Sequence, residues 1–196
     1  MRGTDNDDYK KKVRGAKYIQ VNIGLQLIMS IKKSGNIKWY VDVVFSVHKV
    51  KRSHTGGFMT MGTEGAYVHY RKQNMNTNSS TETEIVGVYD FLILLIWTQY
   101  LLNNQGYKIQ NNIIFQDNHS SIKLENNSRI LSSKRTRHIN KMHYFITDRI
   151  TKQEVSMELC PTLDITGDYF TKELQGSQFR RFCNIIIGIH EDSIPA

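Results

Sequence analysis

Three strand-like runs crowd together early in the chain, and every later strand-like run is preceded by a helix. That order constrains the fold more than any other feature. IKWYVDVVFSV, residues 37–47, is rich in Val, Ile and aromatic side chains, as strands are. The charged stretch HKVKRSHTGG, closed by Gly56 and Gly57, reads as the turn after it. FMTMG and AYVHYRK read as two further strands, split by a turn from Gly62 to Gly65. SSTETE then opens a long helix, with Ser80 or Thr81 as N-cap and Glu82 or Glu84 near the capping-box offset. IIFQD is a fourth strand, and HSSIKLENN a short helix or turn. KRTRHINKMHYFITDRITK is a basic helix, VSMELCP a fifth strand, and LDITGDYFTKEL a last helix. Right-handed crossovers make the two later strands parallel to the first. The sequence therefore predicts an α/β fold around a five-stranded mixed sheet, with three antiparallel strands followed by two parallel ones.

Composition narrows the partner. Of 196 residues, 26 are Lys or Arg and 18 are Asp or Glu, a formal net charge of +8. That balance favours a polyanion, nucleic acid before membrane. Cys160 and Cys183 stand far apart with no CxxC spacing and no His-rich neighbours, which argues against a zinc site or disulfide framework. MRGTDNDDYKKK is polar and reads as no secretory signal, so an intracellular, cytoplasmic setting is expected. The most apolar run, FLILLIW at 91–97, is short for a bilayer span of roughly 20 residues. No membrane partner is expected.

Four carboxylates fall at particular points of this order. Asp42 interrupts the first strand, where an acid among apolar and aromatic residues needs a partner or a ligand. Glu84 lies in the first turn of the long helix, with Glu82 competing for the same role or for the cap. Asp117 ends the fourth strand, a place where Asp also serves as a plain strand terminator. Asp168 lies on the last helix, where the plain reading is a solvated face. The fold order brings the first and fourth strands side by side and returns the long helix over them. Acids meeting there repel one another unless cations sit among them. Two Mg²⁺ ions, or Mn²⁺, suit an all-oxygen set of this kind.

The blocks SSTETEIVGV, IIFQDN, SSKRTRHIN and GDYFTKELQG resemble the ribonuclease H region of copia-type LTR retrotransposon polyproteins. RSHTGGFMTM is similar to that family's entry into its second strand. The resemblance covers residues 37–174 and implies a ribonuclease-H-like fold that hydrolyses the RNA strand of RNA/DNA hybrids during reverse transcription. It implies Asp42, Glu84, Asp117 and Asp168 as catalytic metal ligands, Asp42 bridging two ions, and prefers Glu84 to Glu82. Residues 1–35 resemble the tether to a reverse transcriptase, 36–174 the ribonuclease-H-like domain, and 175–196 a C-terminal tail. The reverse transcriptase motif Y-x-D-D is missing, so the chain reads as the tail of a longer polyprotein whose other parts would be its partners, in a virus-like particle. Three departures stand out. Val43, Val44 and Phe45 follow Asp42 where the family has small residues, Glu173 replaces Pro, and Gly167 replaces Ala. The first is expected to crowd the metal edge. The last is expected to loosen the Asp168 helix, since Gly costs about 1 kcal/mol against Ala there.

Cations extend the pattern. Lys134, Arg135, Arg137 and His138 cluster in KRTRHIN, and Arg52, His54, Arg71 and Lys72 lie around the strand edge. Beside a metal cleft such groups hold backbone phosphates, although a solvated helix face has the same composition. Two other readings stay open: a decayed, non-catalytic nucleic-acid-binding remnant, and an integrase- or transposase-like nuclease with the same sheet.

Overall fold

The computed structural model describes residues 6–27, 35–46, 52–62, 64–127 and 137–189. Five strands form one sheet: β1 (Asn36–Val44), β2 (His54–Thr60), β3 (Gly65–Lys72), β4 (Asn111–Gln116) and β5 (Ser156–Leu159). Their order across the sheet is β3-β2-β1-β4-β5. β1–β2 and β2–β3 pair antiparallel, while β1–β4 and β4–β5 pair parallel. This is the ribonuclease-H-like sheet that the order of runs predicts.

The helices are α1 (Asn6–Val21), α2 (Ser80–Asn104), α3 (His119–Asn127), α4 (Arg137–Thr151) and α5 (Gly176–Ile187). Strand alternation divides β1 between two faces. Ile37, Trp39 and Val41 are buried beneath α2, which contributes Ile85, Val88, Phe91, Leu92 and Leu95 to the same core. α2 is 25 residues long, longer than the apolar run within it, and is apolar enough to cross a membrane by length and composition. Here one side of it packs on the sheet, while Ile93, Trp97 and Tyr100 are exposed. α4 packs beside it, with Tyr89 and Phe145 edge to face at 5.6 Å. The opposite face carries Tyr40, stacked on Phe115 at 4.9 Å, and Phe58, stacked on Phe170 at 6.4 Å. α5 seals this side by burying Phe182, so the segment expected as a tail carries a packed helix.

Two sequence expectations change. Gly56 and Gly57 do not close a turn; both lie inside β2, each making room for a neighbour. A Cβ on Gly57 would come within 2.2 Å of the Phe91 ring, and one on Gly56 within 2.9 Å of Phe170 Cβ. The last predicted helix is a short 3₁₀ turn, Thr166–Phe170. It runs too close to β1 for a wider helix: a Cβ on Gly167 would lie 2.9 Å from the Asp42 backbone nitrogen.

Gly57→Ala should therefore overpack the core and cost about 1–3 kcal/mol in chemical denaturation. Phe91→Leu in the same chain should restore part of that loss. An unchanged midpoint for Gly57→Ala would contradict this packing.

Candidate metal centre

The register of the sheet places the first two acids. Tyr40 pairs with Phe115 in the parallel β1–β4 ladder. Asp42 and Asp117 each stand two residues further along, so they are level and point to the same face. The 3₁₀ turn crosses that face against the Asp42 backbone and brings in Asp168. One carboxylate oxygen from each of Asp42, Asp117 and Asp168 lies within 4.8 Å of the others. Asp42 and Asp168 are 3% and 2% exposed, so neither is a solvated surface acid.

Burial pushes the Asp168 carboxyl up to about 6. The charges of Asp42 and Asp117 push the same way, against the pull of the Lys172 ammonium. Lys172 Nζ donates to Asp168 Oδ1 at 2.7 Å and stands 3.5 Å from Asp42 Oδ1. Burial opposes the charge on Lys172, yet its bond to Asp168 and the nearby acids outweigh that and raise its pKa. Thr171 Oγ1 donates to Asp42 Oδ2. Neither Thr171 nor Lys172 was singled out by sequence reasoning. Their offsets of three and four from Asp168 put them on its face of the predicted helix, so helical spacing was the signal that could have found them.

Glu84, expected as a fourth ligand, is not among the carboxylates that meet there. Gln116 Nε2 donates to Glu84 Oε2 at 3.3 Å, and Gln116 points to the α2 face of β4. The competition between the two glutamates resolves locally. The N-cap of α2 is Ser79, one residue before the expected positions, and its side chain accepts from the Glu82 backbone at 3.2 Å. Glu82 Oε2 in turn accepts from the Asn78 backbone at 2.7 Å. Glu82 is thus the capping acid, and Glu84 is left facing the sheet, buried. Gly87, one turn on, lets α2 approach β1, since a Cβ there would lie 2.5 Å from Val43 Cγ2. Val43 therefore packs under α2, on the face away from the trio.

The donors are all carboxylate oxygens, on two buried residues and the half-buried Asp117, mutually repelling, with the Lys172 ammonium beside them. Such a set fits a hard divalent cation and not zinc. Among the expected nucleic-acid contacts, Lys72 and His138 are exposed and Arg52 is half-buried. Arg137 opens α4. Lys134 and Arg135 lie outside the described residues. Arg71 is committed to Asp90 of α2 at 2.5 Å, and the His54 ring lies 6.0 Å from that of Tyr70.

No family model matches the chain. The chain is 23% identical over 157 residues to the retrovirus-related Pol polyprotein from transposon TNT 1-94 of Nicotiana tabacum. This chain resembles the ribonuclease H region of a retrotransposon Pol polyprotein. The match covers 80% of the chain and spans 12% of the tobacco polyprotein's length. Among solved structures, a ribonuclease H1 in complex with an RNA/DNA hybrid aligns with TM-score 0.49 at 9% identity, over 68% of this chain and 92% of that one. The N-terminal ribonuclease H domain of a Mycobacterium tuberculosis protein aligns with TM-score 0.47 at 8% identity, over 69% and 90%. A ribonuclease H1 from Halobacterium salinarum aligns with TM-score 0.43 at 12% identity, over 67% and 90%. The fold of the chain stands on its own strand order and register.

The raised Asp168 carboxyl has a measurable sign. In the folded protein it holds its proton up to about pH 6, against about 3.9 for an unperturbed Asp. The folded state binds more protons in that window, so this group stabilises at low pH and the benefit is lost as pH rises through about 6. In chelator, wild type should lose stability relative to Asp168→Asn between about pH 4 and 6. Parallel stability profiles for the two proteins would contradict this.

Proposed function

We propose that this chain is a divalent-metal-dependent ribonuclease H of a copia-type retrotransposon, hydrolysing the RNA strand of RNA/DNA hybrids. The convergence of Asp42, Asp117 and Asp168 from three separate segments onto one rim of the sheet carries this reading. The relationship to a retrotransposon Pol polyprotein supports it.

Asp42, Asp117 and Asp168 would hold the ions, and Glu84, on the α2 side, is assigned with them as a ligand. A pair of divalent ions held by these residues would supply Lewis-acid chemistry at the phosphodiester. The rigid β1 and β4 ends fix Asp42 and Asp117, so the acids are positioned before substrate arrives. No side-chain nucleophile is needed. Arg52, Lys72, Lys134, Arg135, Arg137 and His138 are assigned to backbone phosphates, whose neutralisation gives salt-sensitive binding. Residues 1–35 act as a tether to a reverse transcriptase in the parent polyprotein, and the setting is intracellular.

Lys172 and Thr171 favour a second reading, a nucleic-acid-binding remnant without catalysis. Both are bonded to the acids an ion would need. Cleavage of a labelled hybrid in Mg²⁺ or Mn²⁺ separates the two. The nuclease should cut the RNA strand, and Asp42→Asn or Asp117→Asn should each reduce the rate by about 100-fold or more, at or above the loss from removing a metal's outer-shell partner. Salt-sensitive binding with no cleavage in either metal would leave only the remnant.

A further inference from the structure

α1 meets α5 through Tyr18, and none of its residues is buried. The Tyr18 hydroxyl lies 3.5 Å from Cys183 Sγ, and its ring meets that of Phe179 edge to face at 6.1 Å. About one to two turns earlier along the helix, Lys11 and Arg14 share a face at i, i+3. That face borders a groove of about 450 Å³ between α1 and the segment after Asp168. Lys172 and Glu173 line its other side. Tyr169 and Phe179 line it too, their rings stacked at 5.2 Å.

Three features make this more than a solvated helix. Among the described residues neither Lys11 nor Arg14 forms an ion pair, whereas Lys10 is paired with Asp7 at 3.7 Å. With Lys172 paired to Asp168 and Asp42, the groove keeps two cations, Lys11 and Arg14, against the single carboxylate of Glu173. Lys172 belongs to both places, lining the groove and bonding Asp168, so the groove opens where the acid trio ends. Cations beside stacked rings form the surface that a nucleic-acid strand uses for its backbone and bases.

We infer that this groove carries the nucleic-acid strand leaving the acid trio, with Lys11 and Arg14 on its phosphates. The inference rests on the nuclease reading for what lies at the trio, and it makes α1 part of the substrate path. Lys11 and Arg14 are exposed, so reversing their charge spares the fold.

The test is fluorescence anisotropy with a labelled RNA/DNA hybrid in EDTA, between about 50 and 200 mM salt. Wild type, K11E, R14E and the double variant are compared with K108E, which lies before β4 at the sheet end opposite Asp117. Each groove substitution should make the slope of log affinity against log salt shallower by roughly 0.7–0.9, and the double variant by about twice that. K108E should leave the slope near wild type. Groove variants with the wild-type slope, or a change no larger than that of K108E, would overturn the inference. Cleavage reports separately on the trio. A chain that cuts hybrid but shows no slope change loses the groove alone, and one that binds through the groove without cutting loses the nuclease reading alone.

Discussion

The parallel pairing of β1 with β4 is the constraint on which the site depends. It aligns Tyr40 with Phe115, and so levels two acids that are far apart in sequence. A slip of one residue would turn one of them to the α2 face, because side chains alternate along a strand. The buried Ile37, Trp39 and Val41 oppose such a slip, since it would carry them out of the core. The apolar packing under α2 thereby fixes the polar geometry on the other side of the sheet.

Glycines complete the geometry. Gly56 faces Asp42 across the β1–β2 pair, and Gly167 sits against the Asp42 backbone. Side chains at either place would lift the 3₁₀ turn and draw Asp168 away. The close approach desolvates Asp42 and Asp168 together, which raises the cost of their charges. Lys172 offsets part of that cost, with its ammonium between the two. The centre is thus held together by backbone proximity and electrostatically strained by the same proximity, the condition under which a divalent ion gains most.

The strand order and both parallel pairings were legible because each strand carries its own run of β-branched and aromatic residues, and helices separate the last two. Asp42 was legible as an anomaly within such a run. The 3₁₀ turn was not, because TGDYF has no periodicity at that length, and contact with β1 and β2 sets its shape. Gly56 and Gly57 misled for a related reason. A glycine pair reads locally as a turn, whereas here each answers to a partner distant in sequence, Phe170 or Phe91. The Glu82–Glu84 choice depended on a cap one residue earlier than local pattern indicated.

The most direct measurement is a crystal structure of the chain soaked in Mn²⁺, read by anomalous scattering. Density for Mn²⁺ between the carboxylates of Asp42, Asp117 and Asp168, bonded to their oxygens at metal–ligand distances, is the result expected. Full occupancy of that space by the Lys172 ammonium, with no anomalous peak at saturating Mn²⁺, would contradict the metal centre.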